Sequence, residues 1–125
     1  MVDKKHIADT DIKEATLNLV FHALSDPSRR KMVELLREAG ELKVGNLAKA
    51  FSMSLNSVSK HLKVLEKAGL IERRIKGREH FISVKWQALQ TPYQWLHFYQ
   101  HYWNERIDAL IEYAKHKSKG EDDDK

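Results

Sequence analysis

Apolar residues recur at helical spacing through four stretches of the chain, then switch to a shorter period, then return to helical spacing. Residues 11–24 carry Ile12, Ala15, Leu17, Leu19, Val20, Phe21 and Leu24, which predicts a largely buried helix. Ser25-Asp26-Pro27 breaks it. Asp26 suits an N-cap and Pro27 the first helical position, so a second helix is expected to about Glu38, with Met32, Val33, Leu35 and Leu36 inward and Gly40 as the stop. A short extended piece, Glu41-Leu42-Lys43, leads to a third helix with Val44, Leu47, Ala48 and Phe51 on its apolar face. After Ser52-Met53-Ser54, a fourth helix capped by Ser54 shows one narrow stripe: Leu55, Val58, Leu62, Leu65 and Ala68. Gly69 ends it as a left-handed C-terminal residue. Two short helices joined by a tight turn make a helix-turn-helix candidate.

Residues Leu70–Ile75 and Glu79–Val84 are β-branched and partly alternating, with Gly77 between them free to adopt positive φ. This predicts a β-hairpin, and a helix-turn-helix followed by a basic hairpin is the order of a winged helix. A last helix is expected from Thr91-Pro92 to about Lys117, with Thr91 as its cap. The expected fold is mainly α with a small β-hairpin. It forms a single domain over residues 1–119, followed by an acidic, disordered tail at 120–125.

Composition narrows the function. The 125 residues are 42% hydrophobic and 32% charged, a globular balance. There is no cysteine, which excludes disulfides, thiolate metal sites and cysteine nucleophiles. No apolar run reaches the ~18–20 residues of a membrane span. Met1 to Lys13 is polar and mixed in charge, unlike a secretory signal, so the cytoplasm is the expected location, with no membrane partner. No Gly-rich phosphate loop, nucleophile motif or complete metal triad is present, which argues against an enzyme and calls for no cofactor.

The net charge is +4, and its position matters more than its size. Residues 54–80 hold seven basic and three acidic side chains, while basic and acidic residues cancel over the rest of the chain. A local basic patch on a small domain points to a polyanion, most often nucleic acid; a merely solubilising surface is the plainer alternative. On the fourth helix the outward residues are Asn56, Ser57, Ser59, Lys60, Lys63 and Lys67. Short polar side chains at its amino-terminal end let the backbone approach base edges. Asn56 fits an adenine edge, Ser57 or Ser59 fits several bases, and Lys60 and Lys63 fit flanking phosphates. Ser54 and the helix N-terminus suit a phosphate. His61 either contacts DNA or supports the turn. On the hairpin, Arg74, Lys76 and Arg78 are candidates for phosphate or minor-groove contact, with Lys76 and Arg78 ranked above Arg73.

Ala23–Arg30, the Ser54–Leu65 stretch with its Ser59-Lys60-His61-Leu62 core, the Ala68-Gly69-Leu70-Ile71 turn and Arg73-Arg74 before Lys76-Gly77-Arg78 together resemble the ArsR-type (ArsR/SmtB) winged-helix repressors of bacteria. The resemblance covers residues 15–112. It implies a homodimer whose first and last helices form the interface, bound to a palindromic operator in double-stranded DNA and often controlling its own operon. The absence of cysteine departs from the thiolate metal sensors of the family. Lys43 stands where the family usually offers a Ser or Thr cap. The Trp95–Asp108 segment resembles a subset without a known metal site, whose small-molecule inducers are mostly undefined.

The last helix carries Trp95, Leu96, Tyr99, Tyr102, Trp103, Arg106, Ile107, Leu110 and Tyr113 as a broad stripe. With Leu17 and Phe21 of the first helix, residues Trp95, Tyr99, Tyr102, Trp103, Ile107 and Leu110 are the expected dimer seam; an aromatic small-molecule pocket is the alternative. His97, His101 and Glu105 share one helix face at spacings of four. They are either solvent-facing or part of a zinc site completed by a partner or water, and a His-based zinc-responsive repressor follows from the second case. A winged-helix protein-interaction module is the remaining alternative.

Overall fold

The computed structural model describes the backbone of residues 4–123 and the side chains of residues 13–120. The elements are α1 (Lys4–Leu24), α2 (Pro27–Ala39), β1 (Glu41–Lys43), α3 (Val44–Phe51), α4 (Leu55–Lys67), β2 (Ile71–Lys76), β3 (Glu79–Val84), a 3-10 turn (Trp86–Leu89) and α5 (Gln90–Asp123). They divide into two compact units, residues 1–92 and residues 93–125. Among the described residues, no helix is long and apolar enough to cross a membrane.

In the first unit, the predicted caps are in place. The Asp26 carboxylate accepts from the backbone N–H groups of Ser28 (2.7 Å) and Arg29 (3.2 Å), ahead of Pro27 at the first turn. Lys43 precedes α3 with no side-chain cap, so this helix starts without the hydrogen bond that Ser or Thr would supply. The turn between α3 and α4 passes through Ser52, whose φ of 52° makes it the one described non-glycine residue with positive φ. Gly69 (φ 74°) lets the chain leave α4 and enter β2 directly.

The sheet has three antiparallel strands in the order β1-β3-β2. The expected hairpin is β2–β3, paired from Ile71 with Val84 to Lys76 with Glu79. Gly77, with φ 63°, takes the first position of the two-residue loop, the place that type II′ turns reserve for glycine. The short piece at 41–43 is a third strand, with Leu42 opposite Ile82. Three residues are too few for an alternation signal, so their pairing was invisible in the sequence.

One face of the sheet closes a core built from Val20, Met32, Leu36, Leu47, Val58, Leu62, Leu65, Leu70 and Ile82, each at most 1% exposed. Full burial of such side chains contributes roughly 1.5–3 kcal/mol each. This core fixes α4 against the sheet. Leu55 departs from the inward stripe that its spacing predicts: it is 58% exposed. It sits in the first turn of α4, beyond the reach of the core. Met53, one residue before the cap, packs with the core, as does Val58, the positions of a hydrophobic staple.

α5 begins at Gln90, still within the first unit, so Thr91 and Pro92 lie inside its first turn and Thr91 is no cap. The chain bends earlier, through the 3-10 turn at Trp86–Leu89, which has no periodic signature of its own. At the other end, the backbone stays helical through Asp123, into the stretch expected to be a tail; Asp124 and Lys125 lie outside the described residues.

Candidate nucleic-acid interface

The exposed side of α4 carries Asn56, Lys60 and Lys63, and the hairpin tip carries Lys76 and Arg78, all solvent-facing. None of the four cations makes an ion pair among the described residues. They belong to one compact unit, so the shared core holds helix and hairpin in one frame.

Other predicted contacts are already engaged. Ser54 accepts from the Ser57 N–H (3.1 Å) and donates to the Ser57 hydroxyl (3.1 Å), so both side chains serve the helix cap. Ser59 is half-buried. Arg74 reaches across the sheet to Glu41 (2.8 Å) and lies 4.6 Å from the centre of the Phe81 ring. Its hydrogen bond and charge hold the Glu41 carboxyl below the ordinary range and raise Arg74 further above its own. Lys43 approaches the same ring (5.7 Å) while paired with Glu79 (3.0 Å). The solvent face of the sheet is thus a charge-paired surface around Phe81, while the cations without acidic partners stand at its tip.

His61 is half-buried. Burial alone would raise the Asp26 pKa, but the Arg29 and Ser28 backbone bonds outweigh it, helped by the charges of Arg29 and His61, and the net shift is downward. The His61 ring thus lies within electrostatic range of the turn into α2.

Sequence reasoning missed three features. Arg73 Nε donates to Glu66 of α4 (3.2 Å), a second bond from its Nη2 reaches the same oxygen, and its Nη1 lies 3.0 Å from His80 Nδ1. This half-buried cluster ties the hairpin to α4. Its only sequence signal was a glutamate seven residues before an arginine, across an element boundary. Arg29 donates to the Ala23 carbonyl (2.6 Å) and Arg30 to that of Leu24 (2.6 Å), so both satisfy carbonyls that the end of α1 leaves without intrahelical partners. Finally, a hollow of about 470 Å³ opens between α3, the start of α4 and the hairpin; Asn46, Lys49, Leu55, Ser59 and Arg78 are among its walls.

On α5 every residue from Tyr93 to Gly120 is exposed, including Tyr99, Tyr102, Ile107, Leu110 and Trp103 at 66%. A hollow on this helix is lined by Leu96, Tyr99, Gln100, Tyr102, Trp103 and Arg106. In α1, Leu17 is buried within the protomer and so offers little area to a second copy; Phe21 is 39% exposed. His101 pairs with Glu105 (3.1 Å), while His97 Nδ1 lies 3.1 Å from the Gln100 side chain and its ring stacks on Tyr93. Among the described residues no three His, Asp or Glu side chains gather as a metal site, so one chain does not assemble the histidine set.

Known proteins resemble this chain in sequence and fold. A helix-turn-helix domain family model matches residues 24–74. The transcriptional repressor SdpR of Bacillus subtilis is 38% identical over 80 residues, 64% of this chain and 88% of its own length. A crystal structure of an ArsR family transcriptional regulator superposes with a TM-score of 0.66 at 34% identity, over 73% of this chain and 93% of that one. A homodimeric winged helix-turn-helix DNA-binding domain from Mycobacterium bovis shares the fold, with a TM-score of 0.58 at 24% identity over 80% of this chain and 90% of its own. The chain belongs to the ArsR-type family of winged helix-turn-helix regulators.

Proposed function

We propose that this protein is a homodimeric repressor that binds a palindromic operator in double-stranded DNA, inserting α4 in the major groove and laying the hairpin tip against the flanking backbone. The observation that carries the reading is that Asn56, Lys60, Lys63, Lys76 and Arg78 are exposed without acidic partners, while the neighbouring Arg73 and Arg74 are paired. Cations left unpaired beside a short-side-chain helix start have phosphate and base edges as their natural partners. SdpR is a transcriptional repressor, which supports repression here. The Mycobacterium bovis domain is a homodimer, and the uncovered aromatic face of α5 supports the same assembly. Two half-sites one turn of DNA apart require two recognition helices ~34 Å apart, which a two-fold dimer provides. The cytoplasm is the matching location, and control of the protein's own operon the matching circuit.

The test is fluorescence-anisotropy binding to the gene's own upstream DNA against random duplex. If each dimer neutralises six to eight phosphates, log K falls with log salt at a slope of roughly −5 to −7. Replacing Lys60, Lys63 and Arg78 together by alanine removes six charges per dimer and flattens that slope by about 5. Equal binding by wild type and triple variant overturns the assignment and favours an interaction module. A zinc arm checks the alternative: binding weakened by zinc and restored by His97→Ala would make the histidine face of α5 a sensor.

A further inference from the structure

We infer that Leu55 is a specificity residue that reads the C5-methyl group of a thymine in each half-site, an inference that rests on the DNA-binding reading above. Leu55 is the first residue of α4, the end that enters the groove, and it is 58% exposed although its neighbours on the helical stripe are buried completely. The fold does not need an apolar residue there. Met53 and Val58 already occupy the staple positions around the cap, and Ser54 caps the helix through Ser57. Leu55 instead opens into the hollow beside Ser59, one turn further along the same helix face, with Asn46 and Lys49 of α3 and Arg78 of the hairpin around it.

That setting is apolar at Leu55 and at Val44, which is partly packed on the core, and polar or charged elsewhere, with Glu79 as its acidic member. Lysine and arginine at the rim suit phosphates, and Ser59 and Asn46 suit hydrogen bonds. None of them recognises a methyl group. Thymine presents the one apolar feature of the major-groove edge, and it distinguishes an A·T pair from its reverse only for a protein with an apolar side chain at the right place. An exposed leucine at the leading end of the recognition helix is that side chain. Burying one methyl group is worth about a fourfold gain in affinity per half-site, about 15-fold for the dimer.

The experiment selects preferred duplexes from a random pool with wild-type protein, then replaces each thymine in turn by uracil, which removes only the methyl. Wild type is expected to lose about fourfold in affinity at one thymine per half-site and little at the others. Leu55→Ala is expected to bind thymine and uracil duplexes equally at that position, while Leu55→Met keeps the preference. Unchanged thermal melting of Leu55→Ala checks that the fold survives. A merely structural role would weaken all duplexes alike, leaving the uracil penalty in the variant, and that result overturns the inference. So does a wild type indifferent to every uracil replacement. If no duplex is enriched and none is preferred over random DNA, the DNA-binding reading itself falls and the inference falls with it.

Discussion

The two units differ in what one chain does with their apolar residues. Among the described residues up to Pro92, nine large side chains are less than 2% exposed within one chain and no buried polar side-chain atom lacks a partner. In α5, no residue from Tyr93 to Gly120 is buried, although the helix carries two tryptophans, four tyrosines and a phenylalanine. The core of the first unit is complete within one chain. A lone helix in water gains little from its own hydrogen bonds and depends on packing of its apolar face. An uncovered face of this size marks an interaction surface. The difference separates what one copy of the chain completes, the core that holds α4 and the hairpin, from what a second copy is proposed to complete.

The sharpest break of this contrast is a core truncation. Leu62→Ala in α4, at 0% exposure, is expected to destabilise the first unit by about 2–5 kcal/mol in urea unfolding. A change below about 1 kcal/mol would mean that α4 is not anchored as described. Next comes the seam. Trp103→Ala should raise the dimer dissociation constant at least about 30-fold in sedimentation equilibrium, the effect of a hot-spot aromatic, while secondary structure is retained. An unchanged dimer would move the interface off this face.

A smaller effect is expected at the cluster linking hairpin to helix. Arg73→Met should cost about 0.5–1.5 kcal/mol, since the Glu66 pair is only partly shielded, and should weaken DNA binding through a looser hairpin. Equal stability and affinity would make the cluster incidental. The smallest effect is in acid. The Asp26 pKa is lower in the folded chain, so its contribution is complete above the ordinary carboxylate range and is lost as pH falls through the lowered value. Asp26→Asn keeps a competent cap but should lose that part of the acid limb in pH-dependent melting.

Helix order, the caps at Asp26 and Ser54, the stop at Gly69 and the hairpin turn at Gly77 were legible in the sequence, because each is set by neighbours within a few residues. The basic patch at 54–80 was legible for the same reason. Which of its cations remain available was not. Arg74 and Arg73 look alike in sequence, yet Arg74 meets Glu41 and Arg73 meets Glu66 and His80, partners that depend on strand order and on how α4 lies against the sheet. Leu55 fits the apolar stripe by periodicity and is exposed, because spacing gives the face of a helix but not where the opposing core ends. Local chemistry determined the elements and the sign of the surface. Only the packing of distant segments decided which charges are neutralised within the chain and which apolar residue is left to meet something else.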